Sequence, residues 1–114
     1  MGGPGLRMTL QTRLVLGALL ADPAREIYGL EIVDATGLPP GTIYPIMARL
    51  ESAGWVVSRW EEIDQHAAGR PRRRYYRLSS GQIDGAAQAR LALAEADQRR
   101  RRGGRAAIVP KEAL

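Results

Sequence analysis

Prolines and glycines cut the first half of this chain at four places: Asp22-Pro23, Gly37, Leu38-Pro39-Pro40-Gly41 and Gly54. Proline cannot continue a helix and restricts the residue before it, and a glycine after the last periodic position is a common helix stop. Every element before Gly54 is therefore short. The pieces between the breaks have helical periodicity. Leu10 to Ala21 reads as a first helix with Thr9 as N-cap, apolar on nearly every side and so expected to be enclosed. Ile27 to Ala35 reads as a second, with Ile27, Leu30 and Val33 three apart. Thr42 to Ala53 reads as a third, with Ile43, Ile46, Met47 and Leu50 in one stripe. After Gly54 the period drops to two. Val56 to Trp60 and Tyr75 to Leu78 read as strands, joined by the polar stretch Glu61 to Gly69 and the basic run Arg70-Pro71-Arg72-Arg73-Arg74. Such a pair forms a hairpin with a basic tip or returning arm. A fourth helix, Gly81 to Arg102, is expected to be capped by Ser79 or Ser80. It carries two apolar stripes, Ile83/Ala87/Leu91/Ala94 and Ala86/Ala89/Leu93/Ala96.

The third helix has an unusual polar side. Opposite its apolar stripe lie Gly41, Pro45, Ala48 and Ser52, flanked by Thr42, Tyr44 and Arg49. Small central side chains let a helix backbone approach a large surface closely. Pro45 removes one amide donor, so the first turn is expected to be loosely wound.

Composition narrows the chemistry. The chain has 114 residues, 45% apolar and 25% charged, the size and balance of one small globular domain. It lacks cysteine and has one histidine, His66, so disulfides, thiolate metal sites and a histidine-built zinc site within one chain are excluded; no cofactor is expected. Of its 17 basic residues, 16 are arginine, and the net charge is +5. Arginine's planar fork suits phosphates and guanine edges. The apolar run Leu14 to Ala21 could pass for a signal-peptide core, but it lacks a convincing cleavage site. At eight residues it is far below the roughly 20 needed to span a bilayer, so a cytoplasmic protein is expected. An enzyme is not expected, since nothing in the spacing sets a nucleophile beside His66.

Three helices followed by a β-hairpin is the order of a winged helix-turn-helix, a mainly α (α+β) fold. The expected layout is a flexible N-terminus over 1–8, the winged domain over 9–79, a C-terminal dimerisation helix over 80–102 and a flexible tail over 103–114. In this order the third helix would enter the major groove of double-stranded DNA, with the wing on phosphates or in the minor groove. The candidate contacts are Thr42, Tyr44, Pro45 and Arg49 on the helix and Arg70, Arg72, Arg73 and Arg74 on the wing. Alternation would put Arg72 and Arg74 on one face and Arg73 on the other. Some of these arginines can equally pair with Glu61, Glu62 or Asp64. Tyr28 is read either as a phosphate contact or as a core residue. Trp55 is read as closing the core behind the third helix and Trp60 as packing on the wing. Ile83, Ala87, Leu91 and Ala94 are the candidate dimer interface. A nonspecific nucleic-acid binder and a protein-interaction module remain the competing classes.

The segments TGLPPGTIYPIMARLESAGWVVSRWE and GRPRRRYYRLSSGQ resemble the PadR family of transcriptional regulators. Pro40, Gly41, Thr42, Ile43, Tyr44, Pro45 and Arg49-Leu50-Glu51 match that family's recognition-helix pattern. Gly69-Arg70-Pro71-Arg72-Arg73 and Tyr75-Tyr76-Arg77-Leu78 match its wing. The resemblance covers residues 10 to about 82. It implies a homodimeric DNA-binding repressor that often answers to a small, frequently aromatic effector. The chain departs from the family in a compact second helix and in a C-terminal helix without the aromatic residue that lines a pocket in some short members.

Overall fold

The computed structural model describes residues 6–107. The N-terminal expectation falls partly outside that range. Within it, Leu6 and Met8 are half-buried against the core.

Helix α1 spans Leu10–Leu20, and Thr9 caps it by accepting a hydrogen bond from the Thr12 amide at 3.2 Å. It is not enclosed on every side. Thr12, Val15, Leu16 and Leu19 are buried, whereas Leu10 and Leu14 are 60% and 40% exposed. A helix that is apolar all round carries no periodic signal for its inward face, and in the single chain the Leu10/Leu14 side is uncovered.

The second segment departs from expectation at its start. Ile27–Tyr28 is a short strand, β1, and α2 begins at Gly29 and ends at Thr36. The Tyr28 amide donates to the Glu31 carboxylate at 3.2 Å, and Gly37 closes the helix with φ 74°. The β-branched and aromatic pair Ile27-Tyr28 suits a strand once a partner edge is available. That edge is Tyr75-Tyr76, far away in sequence. The change of element also changes the buried face: Ile32 is fully buried and Leu30 is 60% exposed.

Helix α3 spans Pro40–Ser52, starting two residues earlier than expected because Pro40 takes the first helical position, where its missing amide costs nothing. Ile43, Ile46, Met47 and Leu50 are buried, in the stripe the sequence marks. Pro45 cannot donate to the Gly41 carbonyl one turn back.

Strands β2, Val56–Trp60, and β3, Arg74–Leu78, complete an antiparallel sheet in the order β1-β3-β2. In its register Val56 lies opposite Leu78, Ser58 opposite Tyr76 and Trp60 opposite Arg74. Strand alternation therefore puts Val56, Ser58, Trp60, Arg74, Tyr76 and Leu78 on one face. Val57, Arg59, Tyr75 and Arg77 lie on the other. Between the strands, Gln65–Ala68 forms a single helical turn, α4, capped by Asp64 and closed by Gly69 at φ 69°.

The last helix, α5, spans Gly85–Ala107. The Ser79 hydroxyl donates to the Gly54 carbonyl at 2.6 Å, and the Gly85 amide donates to the Ser79 carbonyl at 2.8 Å. This knot delays the helix, and Asp84 caps it instead of Ser79 or Ser80, accepting from the Ala87 amide at 3.0 Å. Gly85 is required by space: a Cβ there would lie 2.0 Å from the Trp55 carbonyl oxygen. Helix α5 runs past Arg102 to Ala107, so the first part of the expected tail is helical; residues 108–114 lie outside the described range. It packs on α1, and Ala86, Ala89 and Leu93 face the core, with Ala89 fully buried. No helix among the described residues is long and apolar enough to cross a membrane.

Candidate nucleic-acid interface

The outward side of α3 is built by subtraction. With Ile43, Ile46, Met47 and Leu50 in the core, helical geometry turns Gly41, Tyr44, Pro45, Ala48, Arg49 and Ser52 outward, and all six are exposed. Thr42 is half-buried at the first turn. Arg49 has no carboxylate partner among the described residues. Tyr44 leans across to α2, where its ring end occupies the space that only a glycine leaves: a Cβ on Gly29 would lie 2.1 Å from the Tyr44 hydroxyl oxygen.

Between α3 and the hairpin lies an open groove of about 660 Å³. One wall is Tyr28, Gly29, Leu30, Tyr44, Ala48 and Glu51; the other is Trp60, Tyr76 and the run Arg70 to Arg74. Of the helix candidates only Tyr44 borders this concavity, facing the wing candidates Arg70, Arg72, Arg73 and Arg74. Thr42, Pro45 and Arg49 lie outside it, on the helix itself.

The wing arginines are not equivalent. Arg70 forms a two-pronged pair with Glu61, at 2.7 and 2.9 Å. The Arg70 guanidinium, with the Arg73 amide, holds the Glu61 carboxyl down to about 2, and Glu61 in turn raises the Arg70 pKa. Arg74 donates to Ser58 Oγ and to Glu51. Arg73 lies with its guanidinium 4.2 Å from the centre of the Tyr28 ring, a cation–π contact that orients it without cancelling its charge. Arg72 makes one long bond, 3.3 Å, to the Ile63 carbonyl. Among the described residues neither the Arg72 nor the Arg73 guanidinium meets a carboxylate; Arg73 touches Glu61 through its backbone amide alone, at 3.2 Å.

The expected alternation of Arg72 and Arg74 holds only in part. Strand β3 starts at Arg74, so Arg72 precedes the pleat, and Arg72, Arg73 and Arg74 all border the groove. Tyr28 is not a core residue: half-buried in β1, it stacks edge-on against Tyr75 at 5.6 Å and borders the groove. Trp55 packs against the core. Trp60 is 56% exposed beneath the Arg74 guanidinium.

Three functional partners escaped the sequence reading. Glu51 and Ser58 hold Arg74, and Glu26 holds Arg59 in a two-pronged pair at 2.6 and 2.8 Å. Glu26 and Arg59 are 33 residues apart, and Glu51 and Arg74 are 23 apart. No local spacing announces either pair. The Glu61–Arg70 pair was among the alternatives, because it closes a single hairpin.

The candidate dimer residues divide. Ala87, Leu91 and Ala94 lie along the outer side of α5, with Leu91 55% exposed. Ile83 is not on that helix. It sits in the loop before it, its tip where a side chain on Gly54 would be, 2.6 Å from the ideal Cβ position. His66 is exposed on α4. Among the described residues there is no group of three or more histidine, aspartate or glutamate side chains able to hold a metal ion.

An outward helix beside a hairpin, with two helices and the C-terminal helix behind them, defines a winged helix-turn-helix fold. The profile of the transcriptional regulator PadR-like family matches residues 15–83, more than half of the chain. The chain belongs to that family. Solved structures share its fold. A PadR family transcription regulator from Clostridium difficile superposes with a TM-score of 0.55 at 22% identity, over 86% of this chain and 94% of the other. A PadR-like transcription factor from Bacteroides fragilis gives 0.59 at 20% identity, over 84% and 87%. A transcriptional regulator from Clostridium thermocellum gives 0.60 at 22% identity, over 83% and 87%. No curated protein matches the sequence.

Proposed function

We propose that this chain is a sequence-specific, homodimeric repressor that inserts α3 into the major groove of duplex DNA and lays its wing on the sugar–phosphate backbone or in the minor groove. The single observation that carries the reading is the placement of a small-residue, outward helix face and two uncompensated arginines, Arg72 and Arg73, on one side of the molecule. Thr42, Tyr44, Pro45 and Arg49 read or approach the groove. A bidentate arginine–guanine contact supplies about 1–3 kcal/mol of discrimination. Tyr28 holds Arg73 at the phosphates. Two copies meet through Ala87, Leu91 and Ala94 of α5, and paired half-sites multiply the limited specificity of one helix. The protein acts in the cytoplasm, with a small aromatic effector as a candidate regulator of repression.

The test is selection of bound sequences from a random duplex pool, followed by competition against random duplex at fixed salt. A specific regulator prefers its selected site by about 10³-fold or more. A pool that yields no enriched sequence, with uniform salt-sensitive binding, would establish the nonspecific nucleic-acid binder instead.

A further inference from the structure

We propose that Glu51 is a positioning residue: through Ser58 and Arg74 it fixes the wing against the recognition helix and so sets operator discrimination, without itself attracting DNA. The inference rests on the DNA-binding reading above. Glu51 lies in the last turn of α3, on the groove side marked by Tyr44 and Ala48, seven and three residues before it. Ser58 on β2 donates its hydroxyl proton to Glu51 Oε2 at 2.6 Å. Arg74 on β3 donates to the other carboxylate oxygen at 3.2 Å, and from Nε and a terminal nitrogen to Ser58 Oγ at 3.1 and 2.9 Å. The hydroxyl thus uses its one proton and both lone pairs within this junction. The Arg74 guanidinium also lies 5.3 Å from the centre of the Trp60 ring. Among the described residues, these are the only side-chain hydrogen bonds joining α3 to the hairpin.

Charge makes the arrangement informative. A carboxylate on a surface that faces phosphates opposes binding, and here it cancels one of the wing arginines. The junction contributes no net attraction. What it supplies is a fixed angle between the element that reads bases and the element that grips the backbone. Phosphate contacts set register, and base contacts are made only when the register is right.

The experiment measures affinity for the selected site and for random duplex, each against salt, in the full-length protein carrying Glu51→Gln, Arg74→Met, both together, or Ser58→Ala. Loss of one register-dependent base contact forfeits about 1–3 kcal/mol of discrimination, so site preference is expected to fall by about 5- to 150-fold. Glu51→Gln is expected to keep or improve binding to random duplex while losing site preference, and the double variant to lose no more than the worse single one. Ser58→Ala removes the bridge with both charges intact, and its preference is expected to fall at unchanged salt slope. Two results overturn the proposal. One is Glu51→Gln tightening both duplexes equally. The other is Arg74→Met weakening both equally with a slope shallower by about one per protomer, the mark of a phosphate contact. Should Glu51→Gln unfold, Ser58→Ala decides alone, and an unchanged preference there rejects the junction. Failure of the wild-type protein to prefer any sequence rejects the repressor reading itself.

Discussion

Removing Arg73 should make binding to DNA less sensitive to salt, whereas removing Arg70 together with its partner should not. The contrast follows from what each guanidinium touches. Arg73 rests on the Tyr28 ring and keeps its charge, while Arg70 gives both terminal nitrogens to the Glu61 carboxylate and the pair is neutral. Each phosphate neutralised on duplex DNA steepens the plot of log affinity against log salt by about 0.9. The proposed dimer would present Arg73 twice, so Arg73→Ala should flatten the slope by about 1.8. Over a fourfold rise in salt, from about 50 to about 200 mM, that corresponds to roughly twelvefold less loss of affinity than the wild-type protein suffers. Arg72→Ala, which also removes an arginine without a carboxylate partner, should behave alike. The neutral double variant Glu61→Gln/Arg70→Gln leaves net charge unchanged and should leave the slope within experimental error. Fluorescence anisotropy of a labelled duplex, titrated at five or six salt concentrations, gives all four slopes. An unchanged slope for Arg73→Ala, or a slope for the double variant as shallow as that for Arg73→Ala, would refute the division of the wing arginines by their partners.

Three further outcomes are expected. Gly85→Ala should destabilise the fold by at least the roughly 1–3 kcal/mol usual for overpacking, because the new methyl meets the Trp55 carbonyl and not a yielding side chain; thermal unfolding followed by circular dichroism checks it. Leu91→Asp, on the exposed side of α5, should give folded monomers in sedimentation, with a lowered unfolding temperature and weakened operator binding, and a persistent dimer would reject that interface. Glu61 titrates at about 2 in the folded wing, below its ordinary 4.5. The stability it lends is complete above about 4.5 and is lost as pH falls from there towards 2, so the pair should stay closed at every pH above 5; carboxyl NMR should show the low midpoint, and Arg70→Ala should move it back up.

Much of the architecture is legible in the sequence because it is written at short range. The stripe Ile43/Ile46/Met47/Leu50 fixes which side of α3 is buried and therefore which side is free. The drop to period two after Gly54 gives both strands of the hairpin to within a residue. Thr9 caps α1 as a local side-chain-to-amide bond must. Where no clear period exists, no face can be assigned: α1 is apolar on nearly every side, and only packing decides that Val15 and Leu16 go in while Leu10 and Leu14 stay out.

The order and kind of the main elements and the basic character of the wing are thus local properties, because helix and strand periods, breakers and charge belong to neighbouring residues. Tertiary structure decided the rest. It made Ile27-Tyr28 a strand by bringing up Tyr75-Tyr76, and it delayed α5 to Gly85 through the knot around Ser79. It also divided the arginines of the hairpin into those held by carboxylates and those left with their charge. The partners that do this lie from 9 to 33 residues away, and only the folded chain brings a carboxylate and a guanidinium from such distances to within 3.2 Å.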